Sequence, residues 1–159
     1  MNYAIIRNLM GKILILIAVF LALPLFVTII NGEGWRNFIA FFIPLVFLAV
    51  CGYLMKKKKA KDNILLEKEG FVIVALAWIT MSLVGAVPFI ISGEIPNFFN
   101  AFFETASGFT TTGATILEDG QAELLSKSMQ FWRSFTHWIG GMGVLVFILA
   151  IIPESENGS

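Results

Sequence analysis

Four long apolar stretches constrain the fold of this chain more than any other feature. The first, Ile13–Ile30, contains no charged side chain, and further stretches follow at Asn37–Met55, Phe71–Ile91 and Met129–Ile152. A helix of ~20 apolar residues can cross the hydrocarbon core of a bilayer, which is ~30 Å thick. Hydrophobic residues make up 57% of the chain, against roughly 45–50% in soluble domains. The sequence therefore predicts an all-α integral membrane protein.

A cluster of lysines predicts the orientation of these helices. It comprises Lys56–Lys59 and Lys61, directly after the second apolar stretch. Because short loops rich in Lys and Arg remain on the cytoplasmic side, the cluster is predicted to be cytoplasmic. The N-terminus, which carries Arg7 and Lys12, is then cytoplasmic as well. The cluster also favours contact with anionic lipid headgroups, with a protein-docking site as the alternative.

A shorter helix is predicted between the third and fourth stretches. Pro96 or Asn97 can start it, and Ser107 is its last predicted residue. Phenylalanines recur within it at positions 98, 99, 102 and 103. At ~1.5 Å per residue this helix spans under ~20 Å, which is too short to cross the bilayer core. We therefore predict a re-entrant helix. Gly108 is expected to end it, since glycine is common directly after a helix.

A run of threonines and glycines, GFTTTGAT, occupies residues 108–115 directly after this helix. Gly113 can adopt a positive φ angle, which lets successive backbone carbonyls point in one direction. Carbonyl oxygens can replace the water shell of an alkali ion, and the negative end of the preceding helix dipole favours a cation. The run is a candidate cation filter, and an ordinary turn between two helices is the alternative.

Three ionisable residues lie close to this run in the sequence. Glu104, in the short helix, is predicted to anchor the loop by accepting backbone N–H groups, or else to add negative potential to an ion path. Arg133 and His137 lie one turn apart on the fourth stretch. Ionisable groups within membrane segments are functional candidates, but a structural role is favoured for both over direct contact with an ion.

Two further features of the fourth stretch concern packing. Trp132 is predicted to lie in the aromatic belt at the membrane interface. Gly140, Gly141 and Gly143 form a small-residue face, which allows another helix or the re-entrant segment to approach closely. Packing is favoured for these glycines over a gating hinge.

Several function classes lack support in the sequence. Paired carboxylates, a Ser/His/Asp set, a phosphate-binding loop and a metal-ligand cluster are all missing, so the chain is predicted not to be an enzyme and to need no cofactor. Cys51 is the only cysteine, which excludes a disulfide within the chain. Nucleic-acid binding is unsupported, because the one basic cluster directly follows a membrane span.

Three motifs together resemble a known family. They are FFETASG at residues 102–108, the TTTGAT run at 110–115, and FWRSFTHWIGGMG at 131–143. Their order is similar to the first pore repeat of the Trk/Ktr/HKT superfamily, and in particular to its TrkH branch, whose extra N-terminal helix pair the first two stretches match. The resemblance implies that K⁺ is the transported ion. It also implies that Thr111, Thr112 and Gly113 supply filter carbonyls, with Thr110 and Ala114 flanking them.

The same resemblance implies the setting in which the chain works. We expect a multi-pass protein of the bacterial inner membrane, a homodimer in its full-length form, and a cytosolic nucleotide-binding regulatory subunit of the TrkA/KtrA type. Members of this superfamily build their pore from four repeats, as tetrameric potassium channels do from four loops. This chain holds one.

The sequence is accordingly divided into three parts: a helix pair with its lysine cluster at 1–62, a span, pore helix and span at 63–153, and a truncated cytoplasmic linker at 154–159. The leading interpretation is the N-terminal part of a potassium transporter that supplies one quarter of a selectivity filter. A short homo-oligomeric cation channel subunit and a non-conducting membrane interaction protein are the alternatives.

Overall fold

The computed structural model describes residues 3–57 and 67–151, and most of these residues are helical. The helices, in chain order, are α1 Tyr3–Asn31, α2 Trp35–Lys57, α3 Glu67–Ser92, α4 Phe98–Phe109, α5 Gln121–Leu124 and α6 Lys127–Ile151. Within the described residues, α1, α2 and α3 are long and apolar enough to cross a membrane. The predicted all-α membrane fold is confirmed.

The fourth predicted span corresponds to α6, which has 25 residues. At ~1.5 Å per residue this helix is long enough to cross a bilayer core. Of the lysine cluster, Lys56 and Lys57 form the last turn of α2. Lys58, Lys59 and Lys61, the 154–159 linker and the end of the fourth stretch at Ile152 lie outside the described residues.

The first two helices form an antiparallel pair that packs backbone against backbone. A Cβ atom added to Gly11 would lie 2.8 Å from the carbonyl oxygen of Gly52, and one added to Gly52 would lie 2.7 Å from the oxygen of Gly11. One turn away, the side-chain amide of Asn8 donates to the carbonyl of Lys56 at 3.3 Å. Small residues allow this close crossing, as is common between membrane helices.

Trp132 on α6 is buried among the helices and does not face lipid, as a residue of the predicted aromatic belt would. Its side chain is fully buried. The indole Nε1–H donates to the carbonyl of Gly85 on α3 at 3.0 Å, and the ring makes edge contacts with Phe41 of α2 and Phe109 of α4. A buried Trp needs a partner for its N–H, and this one finds it on a neighbouring helix.

The segment between α3 and α6 begins and ends at the same end of the helix bundle. We call this the elbow end, because residues 32–34, which join α1 to α2, lie there. Just after α3, the carboxylate of Glu94 accepts the backbone N–H of Ser126, just before α6, at 3.0 Å. Yet α4 ends at Phe109 against Gly140, about 20 Å along α6 from its first residue. The helix therefore dips into the bundle and the chain returns, which confirms the predicted re-entrant geometry.

Candidate filter loop

The re-entrant helix starts where the sequence predicts it and ends later. Asn97 is its N-cap, and the side-chain oxygen accepts the backbone N–H of Asn100 at 3.1 Å. The expectation that Gly108 ends the helix is wrong, because Gly108 lies within α4 and Thr110 is the C-cap.

The C-terminus of α4 is a Schellman motif formed without glycine. The N–H of Thr112 donates to the carbonyl of Ser107 at 2.9 Å, and the N–H of Thr111 donates to that of Gly108 at 3.0 Å. These are the two hydrogen bonds that define the motif, and its left-handed position is normally glycine. Here Thr111 occupies it with φ = 57°. A residue with a Cβ pays roughly 1–2 kcal/mol for this conformation, so the surrounding contacts must hold the turn in place.

Gly108 is required for packing and not for ending the helix. A Cβ atom at this position would overlap the side chain of Thr136 on α6 and would lie 3.4 Å from Nδ1 of His137. On the facing helix, a Cβ atom at Gly140 would lie 2.7 Å from the backbone carbon of Phe109. The end of α4 is thus pressed directly against α6 at a pair of glycines.

The other two glycines of the small-residue face have looser contacts. A Cβ at Gly141 would be 4.0 Å from the methyl group of Thr111, and one at Gly143 would be 3.4 Å from the ring of Trp78 on α3. The predicted close approach of the re-entrant segment is confirmed at Gly140.

The loop after α4 leaves a set of backbone carbonyls free. Residues 110–115 are exposed, and Thr111 and Gly113 have positive φ angles of 57° and 78°. Within the described part of the chain, no hydrogen bond reaches the carbonyl oxygens of Thr111, Thr112 or Gly113. Consecutive unpaired oxygens of this kind are able to coordinate a cation.

The two flanking residues are committed to contacts within the protein. The hydroxyl of Thr110 donates to the carbonyl of Ala106 at 2.7 Å and lies 2.8 Å from the hydroxyl of Thr112. The carbonyl of Ala114 accepts the hydroxyl of Ser107 at 2.6 Å. Of the five residues predicted at the filter, Ala114 is the one whose backbone carbonyl oxygen has a partner among the described residues.

Glu104 holds the far end of the loop. This carboxylate is buried and accepts the Thr115 hydroxyl at 3.0 and 2.9 Å and the N–H of Ile116 at 3.1 Å. It also forms an ion pair with Arg133, whose Nε lies 2.5 Å from Oε1. Charge-assisted hydrogen bonds of this kind are stronger than neutral ones. Glu104 thus connects α4, the returning loop and α6.

Arg133 and His137 contribute to the same region from α6. The Arg133 side chain is one-quarter exposed and its Nε faces Glu104. Nδ1 of His137 lies 2.9 Å from the backbone carbonyl of Arg133. Because a carbonyl oxygen only accepts hydrogen bonds, Nδ1 carries the proton.

The sequence analysis did not identify Ser107 and Thr115 as anchors of the loop. Both are ordinary hydroxyl residues whose partners lie 7 and 11 residues away, so no local spacing indicates them. Within residues 3–57 and 67–151, no group of three or more His, Cys, Asp or Glu residues is arranged to hold a metal ion.

These features define a class of membrane protein: apolar helices long enough to span a bilayer, a re-entrant helix, and a loop whose carbonyls have no partner among the described residues. A family model described as TrkH, cation transport protein, matches residues 33–159, and the chain belongs to this family. Its members are transport proteins, in agreement with the prediction that the chain is not an enzyme.

Similar proteins match nearly the full length of the chain. The chain is 37% identical to the Trk system potassium uptake protein TrkH of Escherichia coli over 96% of its own length. It is 35% identical to an uncharacterised cation transporter of Methanocaldococcus jannaschii over 94%. The crystal structure of the potassium transporter TrkH from Vibrio parahaemolyticus matches with a TM-score of 0.85 and 31% identity over 96% of the chain. The chain spans 31% of the two relatives and 32% of the crystallised protein.

Proposed function

We propose that this chain supplies one quarter of the selectivity filter of a potassium uptake transporter. The observation that carries the proposal is the loop at Thr111, Thr112 and Gly113, whose carbonyl oxygens have no partner among the described residues. Oxygens of this kind replace the hydration shell of K⁺ in potassium filters. Thr110 and Ala114 flank the ion path. The relatives named as potassium uptake proteins support K⁺ as the ion.

Glu104 and Arg133 act as supports of the filter and do not contact the ion in this proposal. A carboxylate that touched K⁺ directly would bind it too firmly for conduction, since permeation needs sites that release the ion. The carboxylate oxygens of Glu104 instead bind Thr115, Ile116 and Arg133. The loop is thereby fixed through its returning end while its carbonyls stay available.

The proposal extends to the setting of the chain. The chain would work in the inner membrane of a bacterium, with the N-terminus and the lysine end in the cytoplasm and the elbow end outside, as the positive-inside rule suggests. In the full-length form we propose a homodimer with a cytosolic nucleotide-binding subunit of the TrkA/KtrA type. The division into a helix pair at 1–62, a pore repeat at 63–153 and a linker at 154–159 is part of the same proposal.

The test is a substitution in the filter with a matched control outside it. Gly113 and Gly120 both have positive φ angles, 78° and 83°, and a Cβ atom at either would meet nothing within 4 Å. Serine therefore costs both positions the same backbone strain, ~1–2 kcal/mol. In flux assays on the assembled transporter, Gly113→Ser should lower the discrimination of K⁺ over Na⁺ by up to about tenfold, since the strain is the most free energy that the substitution can pass to the ion site. Gly120→Ser should leave it unchanged, and equal behaviour of the two variants would refute the filter assignment.

Liposomes that contain only this chain separate the two remaining alternatives. Potassium flux from such liposomes would favour a homo-oligomeric channel subunit. Their silence would favour the non-conducting membrane interaction protein over that subunit, and it is also the result expected of a repeat that contributes one quarter of a pore.

A further inference from the structure

Polar side chains around the α1–α2 elbow reach both helices that flank the filter. The carboxylate of Glu33 accepts the backbone N–H of Ser128, at the start of α6, with distances of 3.0 and 3.3 Å. The Nε–H of Arg36 donates to the carbonyl of Ile91, at the end of α3, at 3.2 Å. The N-terminal helix pair is therefore attached by hydrogen bonds to the elbow ends of α3 and α6.

The start of α6 depends on these distant groups for its capping. Ser126 is in the N-cap position, since its carbonyl accepts the N–H of Gln130 at 2.9 Å. In most helices the N-cap side chain accepts an N–H of the first turn. Here the N–H of Ser128 goes to Glu33, 95 residues earlier in the chain, and the N–H of Ser126 goes to Glu94. A carboxylate at a helix N-terminus is favoured by the helix dipole, so Glu33 fixes where α6 begins.

The same helix carries the anchor of the filter loop. Arg133 lies five residues after Ser128 on α6 and pairs with Glu104, which in turn holds Thr115 and Ile116. A helix is a rigid element over this distance, so a shift of its first turn displaces Arg133. Three successive contacts thus lead from the elbow to the filter loop.

We propose that Glu33 is a positioning residue for the filter. It sets the axial position of α6 and, through Arg133 and Glu104, the geometry of the loop. The N-terminal helix pair is then a part of the pore's support and not a peripheral attachment. This inference rests on the proposed function for its transport readout.

The experiment compares three variants of the assembled transporter in proteoliposomes. Glu33→Ala removes the cap, Glu33→Gln keeps an acceptor oxygen, and Glu118→Ala removes the same charge from an exposed site in the loop before α6. We expect Glu33→Ala to lower the K⁺ over Na⁺ flux ratio by up to about fivefold, since the loss of one helix cap is the most that the variant can pass on to the filter. Glu33→Gln should restore most of the ratio, and Glu118→Ala should match the wild type.

Two results overturn the inference. One is a Glu33→Ala protein that is less abundant in the membrane but has an unchanged flux ratio, which means that Glu33 serves stability alone. The other is an equal fall in the flux ratio for Glu118→Ala, which means that negative charge near the pore mouth, and not the cap on α6, sets the ratio.

Amide hydrogen exchange distinguishes failure of this inference from failure of the proposed function. If the wild type carries no potassium, the proposed function is refuted, and the cap is judged by exchange at Ser128. Glu33→Ala should raise that exchange rate about fivefold. An unchanged rate overturns the role of Glu33 whatever the transported ion.

Discussion

The α1–α2 pair and the α3–α4–α6 unit bury helices against one another by different means. In the pair, Gly11 and Gly52 bring two backbones into direct contact, and the surrounding core is apolar. In the α3–α4–α6 unit, glycines also bring α4 against α6, but a buried carboxylate, Glu104, adds hydrogen bonds and an ion pair.

The difference follows from what each region has to hold. The pair consists of long helices whose backbone groups are bonded internally except next to Pro24 and Pro44, so close packing is sufficient. The α3–α4–α6 unit contains a loop whose carbonyl oxygens at residues 111–113 have no partner in the part of the chain that the structure describes. Such a loop is not fixed by its own backbone. Its position is therefore determined by side chains at its returning end.

The largest expected effect comes from removing the cation next to Glu104. Arg133→Leu leaves a buried carboxylate without its ionic partner, which should lower the free energy of unfolding by ~3 kcal/mol, the low end for buried pairs. We choose the low end because the Arg133 side chain is one-quarter exposed. Thermal denaturation in detergent measures the stability, and flux assays measure the discrimination of K⁺ over Na⁺, which should also fall.

The control for this variant is Lys127→Leu, which removes a cation from an exposed site on the same helix. It should change neither the thermal stability nor the discrimination of K⁺ over Na⁺ appreciably, because exposed charges contribute little to stability. If the two variants behave alike, polar anchoring does not distinguish the two regions.

A second prediction sets the two glycine contacts against each other. A Cβ at Gly140 would lie 2.9 Å from Cα of Phe109, and one at Gly52 would lie 2.7 Å from the carbonyl of Gly11. Because backbone atoms cannot move aside cheaply, Gly140→Ala and Gly52→Ala should each destabilise by ~1–3 kcal/mol. Only Gly140→Ala should also change ion discrimination, since Gly52 lies at the opposite end of the bundle from the elbow.

Gly141→Ala is the matched control, because its Cβ would make an ordinary contact at 4.0 Å with Thr111. Circular-dichroism melting and ion flux on all three proteins make the comparison. A loss of discrimination in Gly52→Ala would show that the separation between the two regions is wrong.

The smallest effect is expected at Thr112. Thr112→Val keeps the shape and the backbone carbonyl but deletes the hydroxyl, which lies 2.8 Å from that of Thr110. The site is exposed, so stability should change by no more than ~0.5 kcal/mol. Discrimination should largely survive if carbonyls are the ligands. Its loss in flux assays would move the proposed coordination to the side chain.

The sequence alone was sufficient for the spanning helices, the re-entrant helix and the family. These properties depend on the length of apolar runs and on Asn97 at a helix start, which are local and can be counted. The close approach of the re-entrant segment to Gly140 could also be predicted, because small residues on a membrane helix allow another segment to pack closely against it.

Three features were decided only by the tertiary structure. Trp132 packs between helices and does not face lipid, and its N–H finds a partner in the carbonyl of Gly85 on another helix. The helix before the candidate filter loop ends at Phe109, and Thr111 adopts the left-handed conformation that glycine usually takes, because Gly108 lies inside the helix against Thr136 of α6.

The start of α6 is capped by Glu33 and Glu94, which are distant in the chain. Each of these features depends on a hydrogen bond or a close contact between residues far apart in sequence. Periodicity and spacing describe only neighbours along the chain, so the sequence determined the elements and the packing decided how the filter loop is held.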